Sequence, residues 1–400
     1  MRDAIIFLKS KDPRETPHDR MTRGLEDLSA YLGEYVDFEK ILYGAWPNYR
    51  DHIAHTLRVM LLGDSIIRDT FGFHKVATPL GDKLIVSPEE KEAMWIIMAL
   101  THDLGVPLEA IRKISDSVRR MLYKFGVVSV EELTSGYFSQ FADLSDFVIR
   151  FISSDVLQQN GEKGKEKENK SDAYVLHMQA KYYQKFLSAL SSFDHGVLSS
   201  IILMKNLVYF KESDFTMDVF KPLAAEDARQ FLIRNQIVRA IASHSCEDIY
   251  HLGITNFPFM LTVCDEMQEW GRPRLIDVTK RVGSETELFI NKIQHNLVDY
   301  SIRFYLPNEP KPSEEEVKIA SGEVEQYFEK KTTKWLNVLR SAVSLDRLDR
   351  PIRDIELRFT VDNEIDEANI KKYVLRHENP EKVEIDASPD MKKKILTWEA

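Results

Sequence analysis

The pair His102–Asp103 offers the most chemistry in this chain, because it places an imidazole beside a carboxylate at the end of the apolar run MWIIMAL, Met94 to Leu100. That run has no polar face, which predicts a buried helix. Burying a His–Asp pair at the end of such a helix is costly unless something offsets the lost hydration. A divalent metal would do so, because neutral imidazole and carboxylate are standard ligands for Zn, Mn and Fe.

Other segments bring further groups of the same kind. His55 lies on an amphipathic helix predicted from about Arg50 to Thr70, with His52 three residues earlier on the same face. The remaining candidates, each in or beside an apolar helix-like run, are His195, His244 and Asp265. A random scatter of 11 histidines would fall more often on polar faces and loops.

The order of these residues resembles the HD-domain superfamily of metal-dependent phosphohydrolases. The match includes His-x-x-Arg-Val at His55 to Val59 and Thr-His-Asp-Leu-Gly at Thr101 to Gly105, and it covers roughly residues 45 to 275. Its two middle histidines are similar to those of members that hold two ions, whereas minimal members hold one. The resemblance implies a helical domain whose metal ligands are His55, His102, Asp103, His195, His244 and Asp265.

Converging ligands of this kind predict hydrolysis of a phosphomonoester or phosphodiester, with a nucleotide as the expected substrate. Two ions about 3.5–4 Å apart would activate a water and polarise the phosphoryl oxygens. Asp103 is the predicted bridging and catalytic residue, because a carboxylate has two oxygens and an imidazole donates through one nitrogen at a time. The resemblance implies the same role for Asp103.

Two residues near His55 are candidates for catalysis without binding the metal. Arg58, one turn further along, is predicted to contact substrate phosphate or a ligand carboxylate, with an ordinary surface arginine as the alternative. His52 could donate a proton to the leaving oxygen, but an orienting or capping role is favoured. Basic residues that could form a phosphate-binding rim or support a loop are Lys113, Arg119, Arg120, Arg272 and Arg274.

Helices are expected to position these residues, so the predicted fold class is mostly α. An HD-type helical domain is assigned to residues 1–280, with an insertion at 106–190 and a mobile loop at about 160–173. Residues 281–400 are predicted to form a small α+β module with a polar tail, from a strand at 296–306, a helix at 313–345 and a second strand DIELRFTVD. The start, AIIFL, looks like a short strand, and residues 174–212 look helical.

The bulk properties exclude several classes of protein. A net charge of −10 argues against a general nucleic-acid binder or an acidic membrane surface as partner. The two cysteines have no CxxC spacing, and the chain has no signal-peptide pattern and no apolar run near the ~18 residues of a membrane helix, which favours the cytoplasm. Oligomerisation stays open, as does the identity of the metal, for which Mn, Fe, Zn, Co and Ni all suit.

Two alternative functions remain on the same scaffold. One is a regulatory protein that senses a nucleotide without hydrolysing it, and the other is an HD-like di-iron oxygenase that uses the same six ligands. An NTP-driven motor and a Rossmann enzyme are disfavoured, because neither GxxxxGK[ST] nor GxGxxG occurs in the chain.

Overall fold

Helices dominate the computed structural model of this chain. It describes residues 1–11, 24–45, 49–81, 83–124, 135–159, 173–211, 222–246, 255–272, 285–294, 297–305, 313–315, 318, 322, 331, 355–363, 374–379 and 382–386. The contacts divide the chain into unit 1, Met1–Tyr35 with Phe73–Ile249, and unit 2, Val36–Gly72 with Tyr250–Ala400. The described elements are α1 (Arg2–Ser10), α2 (Leu25–Ala45), α3 (Ile53–Thr70), a 3-10 turn (Phe73–Lys75), α4 (Pro88–Thr101), α5 (Val106–Tyr123), α6 (Ser135–Ile152), β1 (Ser154–Gln159), β2 (Ala173–Met178), α7 (Ala180–Ser191), α8 (His195–Asn206), α9 (Val208–Lys211), α10 (Ala225–Ser243), α11 (Phe257–Met267), β3 (Glu285–Gln294), β4 (Leu297–Tyr305), β5 (Ile355–Asn363), β6 (Val374–Asn379) and β7 (Lys382–Asp386).

Unit 1 is built around α10, which packs against both α8 and α4. Most of the apolar run of α4 is buried, and so is every residue of α8 from Gly196 to Met204, as expected for helices without a polar face. A capping box starts α4: Ser87 Oγ accepts from Glu90 N at 3.2 Å, and Glu90 Oε2 accepts from Ser87 N at 2.8 Å. The helix therefore begins at Pro88 and ends at Thr101, directly before His102.

Unit 2 combines α3 and α11 with a sheet. The buried face of α3 follows helical spacing through His55, Val59, Leu62 and Ile66, and this helix packs against α11 and contacts β3. The five strands lie in the order β3-β4-β5-β6-β7, and only the β4–β5 pair is parallel. A parallel pair requires a crossover connection. Of the helix predicted over 313–345, the structure describes Glu314, Glu315, Lys318, Gly322 and Lys331 as helical; apart from Ser313, the rest of that range lies outside the described residues.

The mostly α fold with a small C-terminal module is confirmed, but several predicted elements are wrong. The AIIFL start is part of helix α1, because Ala4, Ile5 and Leu8 share the face that packs on α4. Residues 174–212 do not begin as helix, since β2 pairs antiparallel with β1. Strand β7 lies within the tail predicted as polar, and the predicted mobile loop, except for Ala173 in β2, lies outside the described residues.

The division into units differs from the boundary predicted near residue 280. Helices α3 and α11, assigned from the sequence to the helical domain, group with the C-terminal sheet in unit 2. The prediction followed the change from apolar helices to alternating strands along the chain. Composition contains no information on the packing of α3 against α11, because the two helices are far apart in the sequence.

By length and hydropathy, the stretch Pro88–Tyr123 could cross a membrane, and α7 with α8 could form a second span if that bent pair counts as one. Of the apolar window in Pro88–Tyr123, 67% is buried inside the protein. A buried core helix passes the same test, so this finding is weak evidence for a span. The sequence-based prediction considered uninterrupted apolar runs and did not join α4 to α5.

Candidate metal centre

His102 and Asp103 lie in the turn that joins α4 to α5, with 0% and 3% of their surfaces exposed. In the same turn, Gly105 donates its N–H to Ser199 Oγ of α8 at 2.8 Å. A Cβ atom on Gly105 would lie 2.3 Å from the carbonyl oxygen of His195. Glycine is therefore required for α8 to approach the His–Asp turn this closely.

His195 and His244 come to this turn from two other helices. His195 is the first residue of α8, and His244 caps the C-terminus of α10. Their neighbours are joined, because Ser245 Oγ donates to Asp194 Oδ1 at 2.7 Å and accepts from Gly196 N at 3.1 Å. Asp194 is also the N-cap of α8, so one carboxylate both starts this helix and fastens it to the end of α10.

The three imidazoles surround one carboxylate oxygen. Oδ1 of Asp103 lies 3.6 Å from Nε2 of His102, and Nε2 of His195 and Nε2 of His244 lie at the same 3.6 Å from it. The Nε2 atoms of His195 and His244 are 3.2 Å apart. His102, Asp103 and His244 each offer one ligand atom, and these atoms all lie within 4.8 Å of one another.

Each of these imidazoles is held in place through its other nitrogen. The acceptors of the Nδ1–H bonds are Ala99 O for His102 at 2.8 Å, Ile241 O for His244 at 2.6 Å and Glu109 Oε2 for His195 at 2.7 Å. A carbonyl oxygen has no proton to give, so Nδ1 must carry the hydrogen. Nε2 is then the nitrogen available as a ligand, and an Nδ1–H bond to oxygen is the usual support of a metal-binding histidine.

This donor set fits a divalent ion. With metal–nitrogen bonds of about 2.0–2.1 Å, adjacent donors of a tetrahedral site lie about 3.3 Å apart. The observed separations of 3.2 and 3.6 Å bracket that value. Two nitrogen lone pairs at 3.2 Å repel each other unless a proton or a cation lies between them. His102, Asp103 and His244, which are all buried, can therefore hold a metal ion.

The charge state of His195 depends on Glu109. Burial by itself would lower the pKa of His195, but the hydrogen bond to Glu109 and the nearby carboxylates raise it to about 9. Burial would raise the pKa of Glu109, but the hydrogen bonds and positive charges of His195 and Lys113 lower it to about 2. At neutral pH the metal-free His195 is thus an imidazolium paired with a carboxylate, and it can donate Nε2–H to His244.

Unit 2 contains a second pair of the same kind, His55 and Asp265. Nε2 of His55, which is 1% exposed, lies 2.7 Å from Asp265 Oδ1. Nδ1 of His55 donates to Gln268 Oε1 at 2.5 Å, while Nε2 of Gln268 donates to Trp270 O at 2.7 Å, which fixes the direction of the amide. The Nε2 of His55 therefore faces a carboxylate, as those of unit 1 do, and this pair can also serve as metal ligands.

The two predicted catalytic residues near His55 have contacts within unit 2. Arg58 Nη1 donates to Gly271 O at 2.9 Å and lies 3.5 Å from Asp51 Oδ2, so it braces the loop after α11. His52 occupies the N-cap position of α3, but its side chain makes no capping hydrogen bond. Its ring lies 6.2 Å from the ring of His55, edge-on. Binding of phosphate by Arg58 and proton donation by His52 stay predictions.

The basic residues predicted as a rim use neighbours on their own helix. Lys113 pairs with Glu109, Arg119 lies 2.9 Å from Asp116, and Arg120 donates to Ser117 at 3.0 Å. This pattern is typical of a solvated helix face. Arg272 donates to Asp51 O at 3.0 Å and so supports a loop, which is one of the two roles predicted for it. Arg274 lies outside the described residues.

Within unit 1 the structure brings together the predicted ligands His102, Asp103, His195 and His244, and within unit 2 it brings together His55 and Asp265. Sequence reasoning missed the residues that orient them, namely Glu109, Asp194, Ser199, Ser245 and Gln268. Glu109 carried a weak signal, because it lies one turn after Gly105 in the first turn of α5. Gln268 is 213 positions from its partner in the sequence, and no local pattern identifies it.

Comparison with known proteins adds no relative. A scan against models of known protein families, a search of curated proteins and a search of solved structures find no significant match. The resemblance to the HD-domain superfamily therefore depends on the motifs of this chain and their order.

Proposed function

We propose that this protein is a metal-dependent phosphohydrolase of the HD type, which cleaves a phosphomonoester or phosphodiester, with a nucleotide as its substrate. One observation carries the proposal. Three imidazoles, each fixed by an Nδ1–H bond to oxygen, aim Nε2 at the same oxygen of Asp103. Metal-binding histidines have this arrangement, with the other ring nitrogen donating its hydrogen to a carbonyl or carboxylate oxygen.

The ion would be held by residues of this chain. His102, His244 and Asp103 would be its ligands, and His195 would join them after losing its proton. A bound divalent ion would supply an activated water and stabilise the charge that develops on the phosphoryl oxygens. Glu109 would retain its bond to His195 Nδ1 and keep that ring in position throughout.

His55 and Asp265 are included as ligands because they repeat the arrangement of unit 1. The Nδ1 of His55 is committed to Gln268, and its Nε2 faces Asp265. We propose that this pair contributes ligands for a second ion. Zn, Mn, Fe, Co and Ni all accept such a donor set.

The substrate class follows from charge and from the resemblance. A net charge of −10 disfavours long nucleic acids, so a small phosphorylated molecule is proposed as the ligand. The cytoplasm is proposed as the location. With the resemblance to HD-domain phosphohydrolases, a nucleotide is the small phosphoester proposed as substrate.

The first test is the metal content of the purified chain, together with hydrolysis of p-nitrophenyl phosphate and bis(p-nitrophenyl) phosphate in Mn, Fe, Co, Ni and Zn. We expect at least one transition-metal ion per chain and metal-dependent turnover. Asp103→Ala should lose the metal of unit 1 and turnover together. Asp27→Asn, an exposed carboxylate of the same unit, is the matched control and should retain both.

Three outcomes contradict the proposal in different ways. Turnover lost in Asp103→Ala with metal fully retained removes the ligand role of Asp103. Nucleotide binding without hydrolysis in every metal favours the sensing protein instead. Bound iron with oxygen consumption and no phosphate release favours the oxygenase.

A further inference from the structure

A buried cluster of charges holds the end of helix α11 in unit 2. Glu269 and Lys331 are only 5% and 7% exposed. Nζ of Lys331 lies 2.6 Å from Glu269 Oε1, and it also donates to the carbonyl oxygen and to Oε2 of Glu266, each at 2.7 Å. The carboxylate of Glu269 pairs on its other side with Arg50. All three hydrogens of the ammonium are thus used.

The contacts of this cluster fall beside the candidate metal ligands. Glu266 directly follows Asp265, and Glu269 directly follows Gln268, the acceptor of the His55 Nδ1–H bond. Arg50 lies just before α3, the helix that carries His55, and it also donates to Arg272 O at 3.1 Å. The cluster therefore fastens the start of one ligand-bearing helix and the end of the other.

Burial makes this attachment strongly dependent on each partner. A buried ion pair that loses one member leaves an uncompensated charge, which is far more costly than loss of an exposed pair. Lys331 is the member that neutralises two carboxylates, and its position between β4 and β5 places it in the C-terminal module. The last turn of α11 is thus held from the part of the chain that carries the sheet.

We propose that Lys331 is a positioning residue for the candidate metal centre: its ammonium fixes the end of α11 so that Asp265 and Gln268 present His55 in the ligand geometry. The C-terminal module thereby sets the affinity of this ligand pair for its ion. The consequence for metal binding rests on the proposed function, whereas the attachment itself does not.

Hydrogen exchange of the metal-free full-length chain tests the attachment. Lys331→Met keeps an unbranched side chain one atom shorter and removes the charge, so we expect exchange of amides in 264–270 to accelerate about tenfold. Lys331→Arg should restore most of the protection. Lys318→Met, an exposed lysine of the same stretch, is the matched control and should leave exchange unchanged. Unchanged exchange in Lys331→Met overturns the inference.

Metal titration tests whether the attachment acts through the ligand pair. Lys331→Met should weaken binding of the His55-dependent ion by about 10–100-fold, with partial recovery in Lys331→Arg. In an Asp265→Asn background the same substitution should have little further effect, because the interaction it supports is already lost. An equal loss of affinity in both backgrounds overturns the positioning role.

Two further outcomes have to be considered: a Lys331→Met variant that does not fold, and a wild-type chain that binds no ion. Where Lys331→Met loses its fold, Glu269→Gln takes its place, since it removes one charge and keeps the shape; unchanged exchange of 264–270 in that variant also overturns the inference. A wild-type chain that binds no ion, while Lys331→Met still accelerates exchange, contradicts the proposed function and supports the attachment.

Discussion

Nδ1 of His195 donates to Oε2 of Glu109 across 2.7 Å, and this one bond links helix α5 to the first residue of helix α8. It also decides the protonation of the cluster, because Glu109 helps to raise the pKa of His195 to about 9. The same carboxylate that makes His195 cationic without metal would make it a stronger ligand with metal.

Substitution of Glu109 should therefore weaken the metal site. We expect Glu109→Ala to lower metal affinity by about 10–100-fold, since His195 loses the partner that fixes its ring. Glu109→Gln should lie between Ala and wild type, because an amide oxygen still accepts the bond without the charge. Glu34→Gln, an exposed glutamate of the same unit, is the control. Competition with a chelator measures the affinities, and equal values for all the variants would exclude this role.

Metal binding should release a proton below pH 9. The raised pKa of about 9 means that His195 is protonated at pH 7 and must lose Nε2–H before it can act as a ligand. Titration calorimetry in buffers of different ionisation enthalpy should give about one proton from His195 per ion at pH 7, and His195→Ala should abolish that proton. Apparent affinity should rise with pH and level off above 9. A pH-independent affinity would show that His195 is not a ligand.

The pH dependence of stability without metal has the corresponding sign. A histidine with a raised pKa contributes stability that is complete below its ordinary pKa of about 6.5 and is lost as pH rises through 9. Glu109, with a pKa lowered to about 2, contributes stability that is complete above the ordinary pKa of a glutamate and is lost as pH falls toward 2. The free energy of unfolding of Glu109→Gln, measured with urea, should therefore be closest to that of wild type at the two extremes of pH. If the two free energies differed by the same amount from pH 4 to pH 10, the pairing of His195 with Glu109 would be contradicted.

Much of unit 1 follows from local sequence rules. The apolar run before His102 predicts a buried helix, and Ser87, Pro88 and Glu90 predict its start, which the capping box confirms. Two of the histidine supports are local as well, since His102 and His244 each donate to a carbonyl three residues earlier at a helix end. Patterns over a few residues contain this information.

The long-range pairs could not be read from the sequence. Glu109 and His195 are 86 positions apart, and His55 and Gln268 are 213 apart. The sequence does not predict strand β3, because apolar and polar residues alternate only weakly along it and its pairing with β4 shifts register between Ile290 and Lys292. Each of these features depends on tertiary packing, which no window of the sequence contains.

His55 and His52 offer a matched pair for testing the second set of ligands. His52 is the N-cap residue of α3 and His55 lies in its first turn, but only His55 is buried with Nε2 beside a carboxylate. We expect His55→Ala to lose one ion per chain and His52→Ala to retain both ions and most turnover. Elemental analysis of the two variants with kcat and KM separates the roles. A large fall in kcat for His52→Ala with metal and KM unchanged would instead support the proton-donor role of His52.

Two glycines provide an opposed pair of substitutions for the contact between α8 and α10. A Cβ on Gly196 would lie 2.5 Å from Ser245 Oγ and 2.6 Å from the carbonyl oxygen of Ile241, whereas a Cβ on Gly33 of α2 would meet nothing within 4 Å. Gly196→Ala should cost about 1–3 kcal/mol of unfolding free energy, because the backbone oxygen of Ile241 cannot move without shifting α10.

Gly33→Ala should stabilise by about 0.5–1 kcal/mol, since alanine favours a helix interior. Metal affinity and stability to urea should both be measured for each variant, because only metal affinity reports on the spacing of the imidazoles. Gly196→Ala should bind the ion of unit 1 more weakly, because the shift separates His195 from His244, while Gly33→Ala should bind it as wild type does. If Gly196→Ala unfolds at a lower urea concentration but binds the ion with unchanged affinity, the close approach of α8 and α10 serves packing and does not set the spacing of the imidazoles.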